Sequence, residues 1–279
     1  MSSLLEGLGL APDTRAVIIV AAGLGTCHAC NRGVYEATRE GVATAARLRV
    51  PCPWARGAAA DYRGDDIGVS LTLTSEFEHY QWGPITHAPS LLGGDGGFPR
   101  TTADVWDHAD PSEVYRECRA QIERAVLWGI DVTHLASQGD VMISRPELFD
   151  VIAELAEEFA LPVRLADDTT LDRAGFPVAA LAADRGLVHA DRVVAGLSTG
   201  NIDQFLQDLR PGVTEVSLTP AVATSELQAI TNGWQTMIDD LGLLTDHTVA
   251  DRLADADVKS IGYRDLRDLV RAGHSRQGV

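Results

Sequence analysis

Cys27-His28-Ala29-Cys30 sets two thiols three residues apart, with an imidazole between them, just after an apolar run. That spacing supports dithiol redox chemistry or half of a metal site. A helix start there lowers a thiol's pKa and draws anions towards Cys27 or His28. No second Cys or His pair follows at structural-zinc spacing, and a thioredoxin-like setting is missing. The bland reading is two small side chains packed at a helix start. His134 lies in an apolar run and reads either as an acid–base group or as a satisfied core histidine. Asp140, after Ser137-Gln138-Gly139, reads as a replacement acid or base, or as a loop cap. Ser70 becomes a nucleophile only with a base in hydrogen-bond reach. Residues 75–110 add Glu76, His79, Tyr80, Trp82, His87, Phe98 and Arg100. Aromatic rings beside a cleft stack on a sugar face, or pack a lid onto its support.

These residues need elements to hold them. Ala16–Ala22 is a β-branched run without polar alternation, as expected of a strand buried on both faces. Further strands are expected at Ala45–Val50, Ile67–Leu73, Asp131–Leu135, Pro162–Leu165, Arg192–Ala195 and Thr214–Leu218. Helical spacing marks Ala29–Arg39, a stretch opened by Ser112-Glu113 and closed at Gly129, Glu226–Asp240 and Tyr263–Arg271. Ser144-Arg-Pro-Glu147 reads as a capping box opening another helix. Strands alternating with helices predict an α/β fold: a single irregular, TIM-like (β/α) barrel forming one domain over residues 1–279, with a lid-like insertion at about 75–110. In such a barrel the site lies at the C-terminal ends of the strands.

The 279 residues carry a net charge of −17, which disfavours nucleic acid and anionic membrane surfaces as partners. No apolar run is long enough to span a bilayer, and nothing near the N-terminus reads as a signal peptide. Four cysteines in a chain this long do not suggest a disulfide framework, so a cytoplasmic setting is expected. The expected partner is a small molecule. No pattern fixes the subunit number, and a homo-oligomer is compatible.

Asn31-Arg-Gly-Val-Tyr-Glu-Ala37, Val50-Pro-Cys-Pro-Trp54, Leu71-Thr-Leu-Thr-Ser-Glu76, Thr133-His-Leu135 and Ile261-Gly-Tyr-Arg264 together resemble the YdjC/ChbG/HpnK-like carbohydrate deacetylases. The resemblance runs along nearly the whole chain. It implies an irregular β/α barrel and a metal-dependent removal of N-acetyl groups from small sugars. It also implies acids and histidines at strand ends where this chain has Ala22, Gly23, Ser70, Ala136, Gln138 and Thr219. Neutral side chains at those positions hold a divalent ion poorly. The sequence therefore predicts no metal and no cofactor: a metal-less homologue whose cleft serves metal-independent cyclisation, isomerisation or acid–base chemistry on a small organic substrate. Cys27, His28, Ser70, Tyr80, Trp82, Gln138 and Thr219 would bind, with His134 or Asp140 as acid–base groups. The alternatives are a non-catalytic sugar- or metabolite-binding or regulatory pseudoenzyme, and a residual carbohydrate N-deacetylase.

Overall fold

The computed structural model describes residues 4–198 and 200–277. Seven parallel strands form one curved sheet: β1 (Arg15–Leu24), β2 (Ala45–Leu48), β3 (Ile67–Leu71), β4 (Val132–Ser137), β5 (Arg192–Val194), β6 (Gly212–Leu218) and β7 (Val258–Ser260). Their order is β4-β3-β2-β1-β6-β5, with β7 paired to the start of β1. All pairings are parallel, so this is an α/β half-barrel with helices on its outer face.

Alternation along the strands divides the side chains between two environments. Val17, Ile19, Ala46, Leu48, Ile67, Val69, Leu135 and Val216 join the large core formed with the surrounding helices. Ile18, Val20, Ala45 and Val213 belong to a smaller apolar cluster, closed by Leu5, Ile261, Tyr263 and Leu266. In parallel register Ile18 lies beside Glu215 and Val20 beside both Ser217 and Ala45. The concave face thus carries an apolar floor and, towards the strand ends, polar groups.

Two glycines permit close approach. A Cβ on Gly68 would stand 2.4 Å from Nδ1 of His134, and one on Gly33 would stand 2.6 Å from the backbone of Ala221. The first leaves room for an imidazole on the concave face. The second lets the helix His28–Arg39 lie against the segment following β6.

The segment after β3 has neither helix nor strand from residue 72 to 88. It is tied to one face of the helix Pro111–Leu127 at i, i+4 and i+8. Gln121 Oε1 accepts from the Thr72 amide at 2.9 Å. The Glu117 carboxylate accepts from the amides of Ile85 and Thr86 at 3.1 and 2.9 Å, and Glu113 accepts from the Ser90 amide at 2.8 Å.

Several elements differ from expectation. Residues 162–165 contribute only a bridge between Val163 and Leu135, since Pro162 has no amide to donate. The helix Pro146–Phe159 starts with Pro at its first position and Arg145 as its cap, and no side chain caps it. Asp110, not Ser112, caps Pro111–Leu127. The stretch Glu226–Asp240 divides into Ser225–Ile230 and Trp234–Thr245 on either side of Gly233.

Candidate functional site

The polar groups of the concave face form two linked clusters. In the deeper one Glu215, from the middle of β6, is fully buried. Arg164 Nε donates to its Oε1 at 3.1 Å, Arg47 Nη2 lies 3.4 Å from the same oxygen, and the Ser217 hydroxyl donates to it at 2.8 Å. The Tyr263 hydroxyl donates to the other oxygen. Arg47 also donates to Ser217, and Arg164 donates to Asp140. Burial works to raise the Glu215 pKa, but Arg47 and Arg164 overcome it and hold the carboxyl below its ordinary range.

The second cluster lies at the rim. Arg49, two residues beyond Arg47, donates from Nη1 to Glu76 Oε1 at 2.6 Å. Gln138 Nε2 donates to the other Glu76 oxygen at 2.7 Å. Glu76 remains 35% exposed and so is reachable from solvent. The Gln138 carbonyl oxygen is buried and has no partner. A buried acceptor left unpaired is costly, and a bound hydroxyl or amide N–H would satisfy it.

His134 is fully buried beneath these groups, stacked on Tyr263 with ring centroids 3.7 Å apart. Burial, then the charges of Arg47 and Arg164, push its pKa well below 6.5. Its Nε2 has no partner. The folded chain therefore keeps His134 neutral while the unfolded chain takes up a proton as pH falls below about 6.5. Stability from this group is fully present above that pH and is lost below it, by up to about 1.4 kcal/mol per pH unit. His134→Phe keeps the stack on Tyr263 and removes the titration. Melting temperatures between pH 7 and 5 should fall less steeply for this variant; equal slopes would contradict the assignment.

Of the other residues singled out in the sequence, Ser70 and Gln138 lie on the concave side with His134, and Asp140 follows on the turn after β4. Thr219 follows β6, its amide donating to Asp240 at 2.7 Å, and its methyl stands 3.0 Å from where a Gly23 Cβ would be. Cys27 and Tyr80 belong to a neighbouring apolar cluster with Cys30, Ala221 and Leu227. His28 faces outwards and packs on Trp54, ring centroids 5.0 Å apart. Trp82 is buried under its own segment, its indole N–H donating to the Thr74 carbonyl at 2.8 Å. Arg47, Arg49, Arg164 and Glu215 were not singled out, although two arginines at alternate positions of an otherwise apolar strand were the available signal.

A resident divalent ion does not fit this donor set. Among the described residues no three His, Cys, Asp or Glu side chains come together as such an ion requires. Glu215, Asp140 and Glu76 each pair with a guanidinium, so positive charge already occupies the neighbourhood of the carboxylates.

The fold is thus a parallel α/β half-barrel with charged side chains paired on its concave face. The chain belongs to the YdjC-like protein family, whose model matches residues 16–255. A carbohydrate deacetylase of Geobacillus stearothermophilus is 29% identical over 259 residues, covering 91% of this chain and 99% of that protein. One from Thermus thermophilus is 40% identical over 159 residues, 57% of this chain and 56% of its own. The crystal structure of an Enterococcus faecalis V583 protein named for cellobiose-phosphate cleavage superposes with a TM-score of 0.80 at 26% identity, covering 91% of this chain and 99% of that one.

These relatives correct the expectation of a repurposed pseudoenzyme or a non-catalytic binder: similarity to carbohydrate deacetylases runs along the chain and favours the third alternative, a carbohydrate deacetylase. The expectation rested on side chains lost at strand ends. It weighed Asp140 as a replacement acid and noted Glu76 only as part of the 75–110 segment, whereas the fold brings Glu76 to Gln138 and Arg49 and ties Asp140 to Arg164.

Proposed function

We propose that the chain removes an acetyl group from a small carbohydrate at the C-terminal ends of the strands. The observation that carries this reading is Glu76: a solvent-reachable carboxylate fixed from both sides by Arg49 and Gln138, in a chain similar along its length to carbohydrate deacetylases. Acetyl hydrolysis needs a base for the attacking water, a positive group near the developing oxyanion and a proton for the leaving group. Glu76 takes the proton from water as its oxygen bonds to the acetyl carbon. Arg49, already beside Glu76, stabilises the oxyanion. The bond from carbonyl carbon to the sugar nitrogen or oxygen then breaks, and Glu76 passes its proton to the departing group. Acetate and a free amino or hydroxyl sugar result. Gln138 Oε1, buried without a partner, accepts a hydrogen bond from the sugar and orients it.

In this reading residues 1–279 form one irregular (β/α) barrel domain, with the 75–110 segment as a lid over the sugar. The substrate is a small molecule and the setting cytoplasmic. Four free, buried cysteines and a net charge of −17 support that picture. No described helix is long and apolar enough to cross a membrane.

The test is acetate release from a panel of N-acetylated and O-acetylated mono- and disaccharides. At least one should yield acetate and the matching deacetylated sugar in equal amounts. No acetate from any member overturns the proposal.

A further inference from the structure

Two thiols beside the site play no part in that chemistry. Cys27 caps the helix His28–Arg39, its sulfur accepting from the Cys30 amide at 3.4 Å. The two Sγ atoms are 3.2 Å apart, within hydrogen-bond reach of each other. Cys52 and Cys118 are also free and buried, and Cys118 lies apart, its Sγ 3.8 Å from Met142 Sδ. Cys27 and Cys30 are thus already in contact, one turn apart, where a disulfide needs only a shift of about 1 Å to reach its usual S–S length of about 2.0 Å.

We propose that Cys27 and Cys30 are a reversible dithiol–disulfide site that reacts with small-molecule disulfides. The Cys30 thiol, by hydrogen bonding to Cys27, pulls the Cys27 pKa down, and the helix N-terminus acts in the same sense. Cys27 is the attacking sulfur. It displaces one thiolate from the incoming disulfide, forming a mixed disulfide. Cys30 then loses its proton and attacks the Cys27 sulfur, the Cys27–Cys30 bond forms, and the second thiolate leaves. Two electrons pass from the pair to the incoming disulfide, and two protons end on the two released thiols.

Access is set by Tyr80, whose ring packs over this cluster and whose hydroxyl donates to the Thr26 carbonyl at 2.9 Å. Tyr80 sits in the stretch without helix or strand, so its displacement breaks no helix or ladder hydrogen bond. Val222, Ile230, Trp234 and Met237 also pack on the cluster, so reaction in the folded chain requires Tyr80 to swing away while these side chains stay in place.

The experiment treats the folded, full-length chain with oxidised glutathione, quenches in acid, unfolds it, labels free thiols with iodoacetamide and reads tryptic peptides by mass. The peptide 16–32, holding both cysteines, should lose both labels and two hydrogens, while Cys52 and Cys118 keep their labels. Dithiothreitol should restore both labels. The proposal is overturned if the pair still takes both labels, if glutathione stays attached to Cys27, or if Cys52 enters the link. Cys30→Ser should leave this peptide carrying glutathione on Cys27 in place of an internal link; a Cys27 that keeps its label in this variant would overturn its role as the attacking sulfur.

Discussion

Glu215→Gln is expected to lower the stability of the chain by about 3–5 kcal/mol, the range for removing one partner of a buried ion pair. Glu215 is fully buried and takes hydrogen bonds from Arg164, Ser217 and Tyr263, with Arg47 alongside. A neutral amide leaves two guanidiniums facing one another, with Asp140 as the remaining acid on Arg164. The amide also turns a donor towards one of its present donors. Tyr263→Phe removes only one hydrogen bond to a charged group and should cost about 1.5–3 kcal/mol. Urea unfolding of the three proteins checks the order. The carboxyl is held below its ordinary range, so its contribution is present at neutral pH and is lost as pH falls through the folded-state pKa. The gap between wild type and Glu215→Gln should therefore narrow in acid. A gap that widens in acid would contradict the sign.

Glu76→Gln is expected to reduce acetate release by about 10²–10⁴-fold while leaving the fold in place. Its side chain is part-exposed, and its salt bridge to Arg49 lies at the rim rather than in the core. The amide keeps size and shape but cannot take a proton from water. Circular dichroism and melting temperature should stay near wild type, which separates this variant from Glu215→Gln. Unchanged turnover would remove Glu76 from the mechanism.

How much of this was legible in the sequence differs from one element to the next. β1 announced itself because both of its faces are buried, so its apolar run has no polar interruption. β7 did not: it has three residues, two of them exposed, and pairs only with Arg15, Ala16 and Val17 at the start of β1. The apparent capping box at Ser144 was a local motif that the chain does not use, because the helix begins at Pro146 and its preceding residue takes the cap position. The site was harder still. Arg47 and Ser217 are 170 residues apart, and Arg164 and Glu215 are 51 apart. Neither spacing has a local signature, so only the fold reveals that these charges meet. Gln138 and Asp140 were visible as residues, but their partners Glu76 and Arg164 come from other segments. The closeness of Cys27 and Cys30 was legible in their spacing, because it is set within one turn of helix, whereas their role was not.

The most direct measurement is a proton NMR time course of wild type and Glu76→Gln with N,N′-diacetylchitobiose and the other acetylated sugars of the panel. The account predicts that with wild type the free-acetate methyl signal grows as a sugar acetyl signal falls, and that Glu76→Gln stays near the uncatalysed rate. Acetyl signals unchanged in the presence of wild type, across the panel, would contradict it.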